Sequence, residues 1–175
     1  MKPSTIEQRV FFYSQYKSVY TIKYLIAINP NGFVAFLSKG YGGRSTDGFV
    51  NVDSQFTELL ELDDVILADK GFPQIVCEIG KQNAVLIMPQ FGNTNEPQFS
   101  EENMQKTFKV ATVRVHVECT SQRIRLFNIL HNIDLDVLGY ADVLVHVCGV
   151  LVNFQTPILK QTLSVIAEII TANST

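Results

Sequence analysis

Two carboxylates stand in sequence contexts where an acidic side chain could do chemistry. Asp69 follows the apolar run 65–68 within VILADKGF, which has the pattern of a buried strand. In open α/β sheets functional groups gather at the carboxyl ends of strands, so Asp69 could hold a metal ion there. It could equally satisfy the amides of a turn, since the glycine two residues later lets the backbone bend sharply.

Glu118 is the second candidate because it is the single acid in a basic stretch. Residues 106–125 contain five bases and this one acid. At helical spacing Glu118 could form surface ion pairs with Arg114 and Arg125, or it could be a catalytic carboxylate with bases beside it. The basic residues of the stretch are Lys106, Lys109, Arg114, Arg123 and Arg125.

The other reactive side chains give weaker patterns. His116 and Glu118 would face one side of a strand and could then share a metal ion, but on a helix they would not. Cys119 with His116 would suit an unrelated α/β hydrolase, against the simpler interpretation that Cys119 is a small buried side chain. The glycines of GYGG at 40–43 have no Walker-type lysine, and no G-x-S-x-G motif occurs.

Hydrophobic patterning predicts an α/β domain with a mixed sheet around these residues. Residues 20–28 and 33–38 flank the turn signal NPNG and predict an antiparallel hairpin. Residues 45–47 offer capping side chains for a short helix that ends near residue 60. Further strands are predicted in DDVILADKGF and NAVLIMP, and further helices over 135–153 and 157–171.

The segment 107–130 carries two competing patterns. VRVHVE alternates apolar and polar residues, which is typical of a strand. Arg114, Glu118, Gln122 and Arg125 recur at steps of three and four residues and would share one face of a helix. Length therefore favours a helix, whereas local propensity favours a strand.

Composition narrows the class of protein. The chain has 175 residues, 46% of them hydrophobic and 18% charged, which is typical of one domain with a sizeable core. A net charge of −3 gives no general reason to expect nucleic acid binding. Three scattered cysteines indicate a reducing compartment. The N-terminus has no signal-peptide core, and the apolar stretch 143–154 is shorter than the roughly twenty residues of a membrane span.

Four stretches together resemble the DDE endonuclease domain of PIF/Harbinger-type transposases and their domesticated relatives. In chain order, between about residues 2 and 158, they are YSQYKSVYTIKYLIAINPNGFVAFLSKGYGGRSTDGFV, DDVILADKGF, VRVHVECTSQRIRLFNIL and ADVLVHVCGVLVNFQTPI. ADKGF and VHVE together are a fairly specific signal, whereas either motif alone would be weak. The resemblance implies an RNase H-like mixed sheet with flanking helices over residues 1–160, followed by a C-terminal helix or tail over 161–175.

The same resemblance implies a site. Asp69 and Glu118 would be the second and third carboxylates of a catalytic triad that binds Mg²⁺ or Mn²⁺ and cuts or transfers DNA phosphodiesters. Glu118 would then lie on a long helix. Asp47, in RSTDG, would be a helix cap near the site or a residue beside the metal ligands. The resemblance also implies a nuclear location and a separate DNA-binding partner protein, with no membrane. Possible contacts to DNA phosphates are Arg114, Arg123 and Arg125.

The sequence departs from the family in three respects. The family's first catalytic aspartate lies on a central strand before the segment that resembles KPS, and no acid precedes Glu7 here. We therefore expect an N-terminally truncated domain without that strand, for which residues 9–16 could substitute. We also expect the family's upstream helical DNA-binding segment to be absent, and Cys119 stands where the family commonly has arginine. These departures favour an alternative function, a catalytically inactive relic that acts as a binding module.

Overall fold

Residues 5–68, 76–88, 101–131, 133 and 135–156 are described by a computed structural model. They form four two-stranded sheets and five α-helices, a mixed α/β structure that confirms the predicted class. The RNase H-like strand order remains a prediction. The helices are α1 (Ile6–Phe12), α2 (Asp47–Asp53), α3 (Val76–Lys81), α4 (Glu101–Arg125) and α5 (Ala141–Asn153). The strands are β1 (Tyr13–Ser14), β2 (Val19–Tyr20), β3 (Ile22–Lys23), β4 (Ile26–Ile28), β5 (Val34–Leu37), β6 (Tyr41–Gly42), β7 (Val65–Leu67) and β8 (Val85–Ile87).

The predicted hairpin around NPNG is present as β4 and β5. The two strands pair antiparallel, with Ile26 opposite Leu37, and Gly32 in the turn has a positive φ of 82°. The first predicted strand is broken, however, into three short pieces with different partners. β2 pairs with β1, β3 pairs with β6, and only β4 pairs with β5. Between β3 and β4, the backbone N–H of Leu25 donates to the Ser38 hydroxyl at 2.8 Å.

The N-terminal segment is a helix where a substitute strand was expected. Residues 9–12 belong to α1, so that expectation is wrong for them, and only Tyr13–Ser14 is a strand. The helix begins because Thr5 caps it, its side-chain oxygen accepting from the Gln8 N–H at 3.3 Å. It ends where the backbone becomes extended to pair β1 with β2.

The glycine-rich stretch after β5 allows other chain segments to pack closely against its backbone. A side chain at Gly42 would overlap the backbone oxygen and the ring of Phe11 at the end of α1. At Gly40 a Cβ would come within 2.8 Å of the Asp142 carboxylate. Glycine is therefore required at these positions because other chain segments approach the backbone closely.

β7, α3 and β8 form a parallel strand–helix–strand unit, as the sequence predicted for the two strands. Val65 lies opposite Val85 and Leu67 opposite Ile87. The ladder continues one residue further, where the Ala68 N–H donates to the Ile87 oxygen at 3.1 Å. Parallel strands need such a crossover, and α3 provides it.

The predicted ambiguity over residues 107–130 is resolved as a helix. α4 runs for 25 residues, and 3₁₀ turns follow at Asn128–Leu130 and Leu135–Tyr140. The inward stripe of α4 consists of His116, Thr120 and Ile124, at four-residue steps. The valines that suggested a strand therefore occur on a helix whose position is fixed by burial of this stripe.

α5 covers the β4–β5 hairpin and the end of α4. Cys148 and Val152 form the core with Ile124, against partly buried Ile26 and Val34. The stretch Asp136–Asn153 is long and apolar enough to cross a membrane by those two criteria alone, and a core helix meets the same criteria. The helix predicted over 157–171 lies outside the described residues.

Polar contacts also attach α5 to the strands. The Asp142 carboxylate accepts from the Tyr24 hydroxyl at 3.0 Å and from the Gly40 N–H at 2.9 Å. At the other end, the Asn153 amide pairs with both backbone groups of Val34, at 2.8 and 3.1 Å.

Candidate active site

Glu118 lies on the outward face of α4, where solvent can reach it. Its side chain is 60% exposed, and its Oε1 is 3.7 Å from Arg114 Nη2, one helical turn earlier. His116 lies about 200° away around the helix and is buried. The two side chains do not face each other, so the helix removes the possibility that they bind one metal ion together.

The burial of His116 also bears on the alternative hydrolase. Burial lowers the pKa of the His116 imidazole below its ordinary value of 6.5, which keeps the ring neutral. Cys119 is half-buried. A nucleophilic pair needs a base that can reach an exposed thiol and substrate, and His116 lies on the inward stripe of α4.

The three predicted DNA-contacting arginines fall on two faces of α4. Arg114 and Arg125 lie within about 40° of Glu118, whereas Arg123 lies about 140° away. Arg123 Nη1 donates to the Thr156 oxygen at 2.8 Å, so this side chain holds the chain that follows α5. Arg125 is exposed, and its backbone oxygen is 2.8 Å from His131 Nε2.

Asp47 begins α2 but does not cap it. The cap is Thr46, whose Oγ1 accepts from the Phe49 N–H at 3.2 Å. Asp47 instead sits in the first turn, where a negative charge favours the helix dipole, and its Oδ1 is 3.4 Å from Lys23 Nζ. The cap predicted among residues 45–47 is therefore confirmed at Thr46, and the interpretation of Asp47 as the cap is wrong by one residue.

Asp69 comes two residues after the end of β7, directly after Ala68, the last described residue of that stretch. It lies outside the described residues, so its relation to Glu118 stays a prediction. Its strand context is confirmed, since β7 is one of a parallel pair whose ladder extends to Ala68. Within the described ranges, no three His, Cys, Asp or Glu side chains come close enough to share a metal ion.

A cavity of about 530 Å³, which no sequence pattern predicts, lies beside the C-terminal end of α4. Its wall is built mainly from β1–β4, from α2 and from α4 together with the turns that follow it, and α1, β5 and α5 add Phe12, Leu37 and Val145. No sequence signal could reveal it, because its polar groups come from segments about a hundred residues apart. The polar and aromatic groups that line it include Lys17, Tyr20, Lys23, Tyr24, Asp47, Ser121, Arg125 and His131.

Comparison with known proteins identifies the family of the chain. A family model described as DDE superfamily endonuclease matches residues 1–153. No curated protein and no solved structure matches the chain.

Proposed function

Since the chain belongs to the DDE superfamily endonucleases, a family that acts on DNA, we propose that it is a transposase-derived nuclease domain of the PIF/Harbinger type. One observation carries the proposal. The family match spans residues 1–153 and so includes Glu118, which lies exposed on a long helix with a basic residue beside it. A parallel pair of strands that leads to Asp69 agrees with an RNase H-like sheet.

Asp69 and Glu118 are the proposed ligands of Mg²⁺ or Mn²⁺. The donor set fits these ions, which prefer carboxylate oxygens and complete their coordination with water and substrate phosphate. The Glu118 carboxylate is accessible, and its described contact is with Arg114 at 3.7 Å. It can exchange this contact for one with a cation. When bound, such ions polarise the scissile phosphate and activate the attacking oxygen.

The residues around Glu118 have separate proposed tasks. Arg114 and Arg125 flank it on the same face and would hold phosphates on either side of the scissile bond. Arg123, already bonded to the Thr156 oxygen and about 140° away from Glu118 around α4, would contribute its remaining donors to phosphates further along the strand. Asp47 would act beside the metal ligands through Lys23, with which it pairs.

A catalytically inactive binding module is the second candidate. Glu7 lies in the first turn of α1, so its context is unlike the strand that carries the family's first aspartate. In either case we propose residues 1–160 as the nuclease-like domain, 161–175 as a C-terminal helix or tail, and a nuclear location. DNA binding would be shared with a separate partner protein.

Cleavage of supercoiled plasmid DNA tests the proposal. We expect nicking in Mg²⁺ or Mn²⁺ that is lost with EDTA, with Asp69→Asn and with Glu118→Gln, but retained in Glu58→Gln, a matched exposed acid that is not among the proposed site residues. The divalent ion should also raise the melting temperature of the wild type but not of Asp69→Asn. DNA binding without nicking would favour the inactive module, and nicking that survives both site variants would refute the ligand assignment.

A further inference from the structure

We propose that the cavity beside the end of α4 binds an unpaired nucleotide of the DNA strand that reaches Glu118. This inference deepens the proposed function and rests on it. The cavity volume of about 530 Å³ lies within the range of about 300–1,000 Å³ that is typical of sites for small organic ligands. A base pair inside a duplex cannot enter such a concave site, whereas an unpaired nucleotide can.

The cavity wall offers cations to a phosphate. Lys17 and Arg125 are exposed at the cavity, and neither forms a salt bridge within the part of the chain that the structure describes. Lys23 is differently placed, because its Nζ is held by the Ser45 oxygen at 2.8 Å and faces Asp47. The wall therefore presents two available cations, which suits a phosphate group.

The remaining wall suits a base. Tyr20 and Tyr24 line the cavity together with apolar side chains such as Ile124. The Tyr24 ring is held in place because its hydroxyl donates to Asp142. A fixed aromatic ring gives a stacking surface for any base, which predicts binding with little sequence preference.

The position of the cavity connects it with Glu118. Ser121 and Arg125, both in the wall, follow Glu118 by about 4.5 and 10.5 Å along the axis of α4. Successive phosphates of one strand are spaced by about 3.4 Å along B-form DNA. Because an unpaired strand spaces its phosphates at least this far apart, a nucleotide in the cavity would lie within about three phosphates of one held by a cation at Glu118.

Fluorescence anisotropy in EDTA tests the inference on the full chain, with a labelled oligothymidine strand and its duplex as probes. Lys17→Gln and Arg125→Gln should each weaken single-strand binding at least about three-fold and reduce the salt slope of log Kd by about 0.7. Ser121→Tyr, which fills the cavity without a change of charge, should weaken single-strand binding and leave duplex binding unchanged.

Arg44→Gln is the matched control, because Arg44 is exposed and does not line the cavity. Because Arg125 is also proposed to hold a phosphate beside Glu118, Lys17→Gln is the deciding variant, and the inference is overturned if it has no larger effect than Arg44→Gln on single-strand binding. Far-UV circular dichroism checks the fold, and Lys17→Gln still decides the matter if Ser121→Tyr unfolds. Since no metal is present, this result is independent of the cleavage assay, and either proposal can fail alone.

Discussion

Replacement of Asp142 should reveal how much the attachment of α5 to the strands contributes to stability. One carboxylate oxygen accepts two hydrogen bonds, from the Tyr24 hydroxyl and from the Gly40 N–H. Asp142→Ala leaves both donors without this acceptor, at about 1–3 kcal/mol for each, with the lower half of the range appropriate to a partly buried site. We expect the free energy of unfolding to fall by about 3 kcal/mol, which corresponds to about 6–12 °C in melting temperature.

Asp142→Asn separates the hydrogen bonds from the charge. The amide oxygen can still accept, so we expect a loss of only about 1 kcal/mol. The charge has its own measurable effect, since burial, the hydrogen bond to Asp142 and the charge of Asp142 together raise the pKa of Tyr24 above its ordinary 10.0. In Asp142→Asn the pKa of Tyr24 should move back toward 10.0. Ultraviolet titration measures this pKa when the curve of a protein with Tyr24 is compared with the curve of one that carries Tyr24→Phe.

Urea denaturation followed by circular dichroism measures these free energies. Asp136→Ala is the matched control, because Asp136 is an exposed acid close to the start of α5. If Asp142→Ala costs no more than Asp136→Ala, or if the alanine and asparagine variants are equally destabilised, the attachment is not what holds α5 in place.

Three further changes are expected to have defined effects on the free energy of unfolding in the same assay. Asn153→Ala should cost about 2 kcal/mol, since both hydrogen bonds to Val34 are lost; an unchanged value would mean that water replaces them. Gly42→Ala should destabilise by more than about 2 kcal/mol, while Gly80→Ala, in open space on a helix, should be neutral or stabilising. Burial lowers the pKa of His116, so the unfolded state takes up the proton first and stability should fall as pH drops below about 6.5. His116→Leu should flatten that slope, and a slope identical to wild type would assign it to other groups.

The sequence predicted those parts of the fold that local signals determine. NPNG between two apolar runs specifies a hairpin, and β4 and β5 confirm it. The short strands of the parallel unit, β7 and β8, were likewise visible as apolar runs bounded by turn residues. In each case the residues that set the element lie within a few positions of one another.

The failures have nonlocal causes. Residues 9–16, with aromatic side chains that favour strands, were expected to supply a substitute strand, but the close approach of Phe11 to Gly42, together with a local cap at Thr5, places residues 9–12 in α1. In α4 the alternation of VRVHVE was overridden by burial of Thr120, which is fully enclosed and donates to the Gly32 oxygen at 3.3 Å. Such contacts depend on partners far away in the chain.

In the candidate site, too, a local pattern reveals one feature and distant contacts determine another. Glu118 was recognisable as a lone acid among bases, and its place on an exposed helix face agrees with the family resemblance. The cavity beside it was not recognisable, since Lys17 and Arg125 lie more than a hundred residues apart in the sequence. Side chains that meet only through tertiary packing leave no local pattern.

The contact between Tyr24 and Asp142 joins residues 118 positions apart, which affects the chain while it is being made. At about 5–20 residues per second, a ribosome takes roughly 6–24 s to add that many residues. Throughout this interval the apolar side of β4 and β5 has emerged without the helix that covers it, and uncovered strands are prone to pair with other chains. The order of synthesis therefore makes the nascent chain more vulnerable to aggregation than the finished protein, and a cell lacking chaperones should lose it chiefly at that stage.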